Sequence, residues 1–232
     1  MNNQKIESKI NLTTKTAYLT GVVIGDGNLA NAVKSKKNDL SKDYAITIDT
    51  SDKKYLIFLF KLIKSIIKTK TTPKEPIQRG DRIPRLYLRI RNKGLFTFLN
   101  QMMEIPKGAK SSKVFVPSRI KNSSEEIKKH FLAGYFDTDG GFRGNTLGFT
   151  TASKNLCEGI SGLLVDFHIR HSDEKWLNKK YNKEFYGIRI NIGEIDRFLS
   201  TMPLKNKEKL GRIYLKFKRG GAGVAKRDRG YE

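Results

Sequence analysis

The chain has 232 residues, 38% of them hydrophobic, enough for one large core or two small ones. Lys and Arg number 46 against 23 Asp and Glu, a formal charge of +23, which exceeds what solubility needs and implies a polyanion: DNA, RNA or an anionic membrane. No apolar run approaches the roughly 18 residues of a membrane span, and the N-terminus MNNQKIESKINLTTK lacks a signal peptide's apolar core.

In chain order, residues 1–12 are polar and read as a mobile end. Thr13 or Thr14 caps a helix over 14–25. Asn28–Val33 and Tyr44–Thr50 read as a hairpin around the loop Lys34–Lys42. Tyr44, Ile46 and Ile48 alternate with Ala45, Thr47 and Asp49, the period of a half-buried strand. Ser51 or Asp52 caps a helix over Lys53–Thr69, with Leu56, Phe60, Ile63 and Ile67 on one face. Ile77–Ile83 and Arg85–Arg91 read as strands, and Gly94–Met103 as a short helix.

The second half repeats the order. Ser123 or Ser124, followed by Glu125 and Glu126, opens a helix over 125–138 in capping-box style. Gly141–Thr151 supplies strands, Lys154–His168 a helix, His171–Trp176 and Glu184–Ile192 strands, and Glu194–Thr201 a helix. Four parts follow: a repeat over 1–104, a linker over 105–122 running on the surface, a repeat over 123–204, and a frayed basic tail over 205–232. The fold expected is α+β, two pseudo-symmetric αββαββα repeats with two antiparallel sheets.

The duplication is carried by two stretches, Leu19-Thr20-Gly21-Val22-Val23-Ile24-Gly25-Asp26-Gly27 and Leu132-Ala133-Gly134-Tyr135-Phe136-Asp137-Thr138-Asp139-Gly140. It is supported by Arg89–Leu99 against Arg189–Leu199, which share an initial Arg-Ile and a final Phe-Leu. Gly21 with Gly25, and Gly134 with Thr138, put small residues four apart on one helix face, the spacing that lets another backbone approach. The natural partner of each helix is its copy. Gly27 and Gly140 suit a left-handed residue past a helix end.

Packed in parallel, the two helices would bring Asp26 and Asp139 together where both macrodipoles are negative. Such a cluster of oxygens, with no Cys or His near it, calls for a hard cation, Mg2+. Cys157 lies in the apolar pattern Leu156, Ile160, Leu163, Leu164, Phe167 and reads as buried; being single, it excludes a disulfide and a cysteine zinc site. An intracellular protein (cytoplasm, nucleoid or an organelle) without a membrane partner is the simplest reading. His130, His168 and His171 are not spaced as a metal site and read as structural or surface residues, and Trp176 reads as packing.

Two strands put apolar residues on one face (Leu86, Leu88, Ile90; Ile188, Ile190, Ile192) and Tyr87, Arg89, Arg91, Arg189 and Asn191 on the other. A basic strand surface can enter the major groove, where Arg reads guanine and Asn reads adenine. Arg79, Arg82, Arg85, Thr47 and Arg143 extend this candidate DNA surface, and Lys107, Lys110, Lys113 and Arg119 of the linker are candidate phosphate grips. Phosphate contacts and base contacts are about equally common, so neither role is assigned to a given arginine.

These stretches resemble the LAGLIDADG motif, and the chain resembles a monomeric two-repeat LAGLIDADG homing endonuclease from about Leu12 to Leu204. The resemblance implies that two curved sheets form a saddle over a long, nearly palindromic double-stranded DNA site. It implies that Asp26 and Asp139 bind catalytic Mg2+, with Mn2+ or Ca2+ able to substitute, and that the carbonyls of Gly25 and Thr138 add ligands. Asp49, Thr151 and Lys93 would order water around the metals, with Arg143 replacing the base missing at Gly193. Both strands would be cut across the minor groove, leaving short 3′ overhangs. The chain starts with Met and shows no splicing ends, more consistent with an intron-encoded enzyme. The alternatives are an intron RNA maturase and a non-cleaving DNA-binding protein on this fold. A basic ribosomal-type protein would explain the charge but not the duplication.

Overall fold

The computed structural model describes residues 10–30, 33–34, 40–41, 44–68, 74–77, 85–180 and 182–224. Arg79 and Arg82 lie outside the described residues, as do residues 1–9 and most of the 34–42 loop.

The first repeat runs α1 (Thr14–Gly25), β1 (Gly27–Leu29), a small ladder of β2 (Val33–Lys34) with β3 (Leu40–Ser41), β4 (Ala45–Thr50), α2 (Lys53–Ile66), β5 (Lys74–Ile77), β6 (Arg85–Arg91) and α3 (Lys93–Thr97). One π turn over Phe98–Met102 extends α3, and α4 (Ser118–Lys121) lies in the connection. The second repeat runs α5 (Glu125–Asp139), β7 (Gly141–Arg143), β8 (Thr146–Thr151), α6 (Lys154–Asp166), β9 (His171–Asn178), β10 (Lys183–Ile190) and α7 (Ile195–Thr201), and α8 (Lys207–Val224) follows. The two antiparallel sheets have matching strand orders, β1-β4-β6-β5 and β7-β8-β10-β9. The duplication in sequence is therefore a duplication in topology.

Register decides which residues face out. Ile46 pairs with Ile90 and Ile48 with Leu88, and all four are buried. Successive residues alternate faces, so Thr47 with Arg89 and Asp49 with Tyr87 line the outer face. In the second sheet Phe149 pairs with Ile188 inside, while Gly148 pairs with Arg189 outside. Ile192, expected on the inner face, is 68% exposed, because β10 ends at Ile190 and a 3-10 turn carries Ile192 out to solvent.

The two motif helices pack backbone to backbone. A β-carbon on Gly21 would lie 2.2 Å from the Phe131 carbonyl oxygen, and one on Gly134 would lie 2.1 Å from that of Tyr18. Only glycine fits at either place. Thr13 caps α1 as expected, and with Thr16 it closes a capping box that the sequence did not announce. Ser124 caps α5 by position, but its side chain makes no capping bond.

Gly27 and Gly140 are not left-handed; Gly140 is extended (φ −73°, ψ 158°), and Gly27 is absent from the positive-φ glycines. Space is what they lack. A β-carbon would stand 2.5 Å from Val23 Cα at Gly27 and 2.2 Å from the Phe136 ring at Gly140.

Two segments depart from the sequence reading. The linker does not simply run over the surface: Ile105, Val114, Val116 and Ile120 are buried in the one core that spans both repeats. The basic tail is helical from Lys207 to Val224, because Leu210, Ile213 and Phe217 recur on one face and Ile213 is buried. No helix among the described residues is long and apolar enough to cross a membrane.

Candidate functional site

Close packing of α1 against α5 places the ends of both helices side by side. A β-carbon on Gly25 would lie 3.4 Å from Asp139 Cγ and would strike Thr138 Oγ1. Two clefts open on either side of this junction. One is lined by Asp26, Asp49, Thr50, Thr138 and Lys209, among others. The other is lined by Asp139, Gly25, Thr150, Thr151 and Lys110, among others. Each cleft thus combines the acid of one motif helix with the residue preceding the acid of the other, and adds a lysine.

Both lysines neutralise helix ends. Lys110 Nζ donates to the carbonyls of Ile24 and Gly25, the latter at 2.6 Å. Lys209 Nζ donates to the carbonyls of Phe136 at 2.8 Å, Thr138 at 2.9 Å and Gly140 at 2.7 Å. An ammonium at a helix C-terminus is the favourable end of the macrodipole. Burial pushes the Lys110 ammonium below its usual range against the pull of Asp139 and Asp26. Burial pushes Lys209 down to about 8 against Asp137, Asp26 and Asp139.

Asp139 keeps more than a third of its surface open, yet desolvation and then the neighbouring Asp26 carry its carboxyl up to about 6. The Asp139 carboxylate and its neighbour Asp26, beside backbone carbonyls that already attract cations, form an all-oxygen donor set. That set fits a hard divalent ion better than a soft one. The candidate ligands are Asp26, Asp139 and the carbonyls of Gly25 and Thr138. Among the described residues no group of three or more His, Cys, Asp or Glu could hold a metal ion. Cys157 is buried, and desolvation pushes its thiol up to about 11, which leaves it inert.

The other sequence-predicted residues divide by place. Asp49 enters the Asp26 cleft, and its N–H donates to the Asp26 carbonyl at 3.3 Å. Thr151 enters the Asp139 cleft, where its hydroxyl accepts the Ser153 N–H at 3.1 Å. Lys93 lines neither cleft: it stands in the first turn of α3, its Nζ 5.9 Å from the centre of the Tyr44 ring. Lys110, read as a phosphate grip, is instead the lysine of a cleft. Lys209 was not read as a site residue at all. A signal for both exists in the chain, since Lys110 follows Met103, and Lys209 follows Met202, by seven residues, with Ile105 and Leu204 two residues after each Met.

On the outer sheet faces, Thr47, Tyr87, Arg89 and Arg91 share the first sheet with Asp49. On the second, Arg143 lies across the troughs left by Gly148 and Gly187. Its guanidinium sits 4.7 Å from the Trp176 ring and donates to Glu174 at 2.7 Å. Arg189 pairs with the same Glu174. Arg143 therefore lines neither cleft, contrary to the expectation that it replaces a missing base there. Trp176 also stacks on Phe185 at 6.0 Å, on the outer face. Asn191 lies past the end of β10, its N–H bonded to the Arg170 carbonyl at 3.0 Å. Lys107 reaches over Phe96 at 5.5 Å, while Lys113 and Arg119 are exposed, and Arg85 opens β6.

Residues 126–203 match the family model of the LAGLIDADG-like domain. Among solved structures, I-DmoI in complex with DNA and Ca superposes with a TM-score of 0.63 at 22% identity, covering 85% of this chain and 96% of that one. Further I-DmoI complexes hold DNA with Mn, or target DNA in the presence of Mg. The replication factor C small subunit of Methanocaldococcus jannaschii is 29% identical over 194 residues, 83% of this chain and 10% of that protein. A probable translation initiation factor IF-2 of the same organism is 31% identical over 100 residues, 41% of this chain and 9% of that protein. The chain thus spans about a tenth of the length of the curated relatives it matches. Residues 126–203 thus match a LAGLIDADG-like domain, and the chain shares the fold of I-DmoI.

Proposed function

We propose, from this fold and its paired clefts, that the chain is a site-specific double-stranded DNA homing endonuclease. It hydrolyses one phosphodiester of each strand across the minor groove, leaves short 3′ overhangs and uses Mg2+, with Mn2+ or Ca2+ able to occupy the same ligands. The observation that carries the reading is the exchange between repeats in each cleft: Asp26 with Thr138 and Lys209, Asp139 with Gly25 and Lys110. Two equivalent clefts side by side suit two scissile phosphates, one per strand. The relatives' names give no common activity and the chain matches about a tenth of each, which supports a module carried within the polypeptides of unrelated proteins.

Bound divalent ions would supply Lewis acidity toward water and the scissile phosphate. The chain's own residues would do the rest. Asp26 and Asp139 would bind the ions together with the Gly25 and Thr138 carbonyls. Asp49 and Thr151 would hold water at the two rims. Lys110 and Lys209 would keep positive charge beside developing negative charge. The outer faces, with Tyr87, Arg89, Arg91, Arg143 and Arg189, would lie along the major groove of a long, pseudo-palindromic duplex, bound by a monomer. The net charge of +23 supports tracking of a phosphate backbone.

The test is a plasmid library of randomised sites, incubated with the protein in Mg2+ or in EDTA. Metal-dependent linearisation at one recovered sequence supports the reading and supplies the target. Tight, salt-sensitive duplex binding without cutting in any divalent metal would overturn the nuclease and leave the DNA-binding or RNA maturase reading.

A further inference from the structure

The two motif helices differ in charge at one buried position. Ile24 of α1 is matched in α5 by Asp137, and both are nearly inaccessible, at 3% and 2% exposure. A carboxylate in that position is costly unless hydrogen bonds hold it. Asp137 Oδ2 accepts from the Tyr18 hydroxyl at 2.6 Å and from the Lys205 N–H at 2.6 Å. Its main-chain carbonyl accepts from Asn206 Nδ2 at 3.2 Å. Tyr18 in turn shares a bond of 2.9 Å with the Tyr55 hydroxyl. Asp137 Oδ1 has no partner. One side chain thus joins α1, α2 and the residues that precede α8.

Those residues set the start of α8. Asn206 Oδ1 accepts the Lys209 N–H at 3.0 Å, and the Asn206 carbonyl accepts the Leu210 N–H at 3.0 Å. Asn206 therefore begins the first turn, and Lys209 leaves that turn to reach three carbonyls at the end of α5. The other cleft is built differently. Lys110 arrives on a segment held by buried Ile105 and Val114 and by the Gly108 N–H bonded to the Leu29 carbonyl at 2.8 Å. No carboxylate takes part there, because Ile24 stands where Asp137 would.

We propose that Asp137 is a positioning residue for the Asp26 cleft alone: by binding Lys205 and Asn206 it seats α8 and delivers Lys209. This rests on the nuclease reading for its consequence. If each cleft serves one strand, loss of Asp137 slows one strand and spares the other, turning a double-strand cutter toward a nicking enzyme. A displacement of a reacting group by about 1 Å costs about 10²-fold in rate, so one strand should slow by about that factor.

The experiment uses the full chain and two readouts. The first is amide hydrogen exchange without metal or DNA, comparing wild type, Asp137→Ala and Asp137→Asn. Asp137→Ala should lose protection over 207–213 while the α5 amides stay protected, and Asp137→Asn, which keeps an acceptor oxygen, should fall between. The second is strand-specific cutting of end-labelled duplex carrying the site recovered from the library. Asp137→Ala should cut one strand about 10²-fold more slowly, and Lys209→Met should reproduce the bias while the Lys205 N–H keeps its bond to Asp137. If Asp137→Ala does not fold, Asp137→Asn carries the same two readouts. Unchanged protection of α8, or equal slowing of both strands, overturns the proposal. Failure of the wild type to cut any duplex removes the nuclease reading, while the exchange data still decide whether Asp137 seats α8.

Discussion

Thr138 Oγ1 lies 2.1 Å from where a β-carbon on Gly25 would stand. The two motif helices meet there with no room for a methyl group, and the same holds at Gly21 and Gly134 against facing backbone. Backbone cannot yield as a long side chain can. Gly21→Ala or Gly134→Ala should therefore cost about 3 kcal/mol or more, a fall of about 6–12 °C in melting temperature for a chain of this size. Thermal unfolding of the purified variants checks this; a loss under 2 °C would mean the helices part easily.

Asp139 titrates near 6 through burial and Asp26. A folded-state value above the unfolded one means its stabilising contribution is present below about pH 4 and is lost as pH rises through 6. In metal-free protein, Asp139→Asn should raise the melting temperature at pH 7 by about 1–3 °C, discounted because the group is well exposed. The gain should vanish at pH 4. The same substitution should abolish cutting and leave duplex binding largely intact. With wild type, protons compete with the metal, so cutting should fall about tenfold per pH unit below 6.

Lys110→Met separates two roles for that lysine. In the cleft, its loss should lower cutting by about 10²–10⁴-fold with little change in duplex affinity. As a phosphate grip, it would instead weaken binding and reduce the slope of log affinity against log salt by about 1. Filter binding across a salt series, beside single-turnover cutting, tells them apart.

Glu174 is a negative charge among the arginines of the second sheet, holding both Arg143 and Arg189. Fixing a guanidinium in one direction favours one base over its competitors, a discrimination of about 1–3 kcal/mol per good pair. Glu174→Ala should tighten binding and broaden the range of sites accepted at the positions these arginines face. Selection from the randomised library, run in parallel with wild type, would show the broadened positions.

The architecture was legible because it is written in local patterns. Gly21 and Gly134 announce a close helix pair, and Ile46, Ile48, Leu88 and Ile90 alternate cleanly, so topology followed. The lysines of the clefts were not legible for a different reason. Among 46 basic residues, no composition signal singles out Lys110 or Lys209, and each acts on carbonyls far away in sequence. The family resemblance put Lys93 in that place, yet the first turn of α3 directs it to Tyr44. The helix α8 was hidden because the segment from Lys205 reads as a frayed basic tail, while Ile213 and Phe217 secure it.

The lysine of each cleft arrives seven residues after the Met that closes its repeat. The unit that can be exchanged between proteins of this fold is thus longer than the sheet and its helices. A chimera spliced at residue 104 would inherit a foreign lysine in the Asp139 cleft. One spliced beyond Lys110 would carry its own, and shuffled proteins should keep or lose turnover according to that boundary.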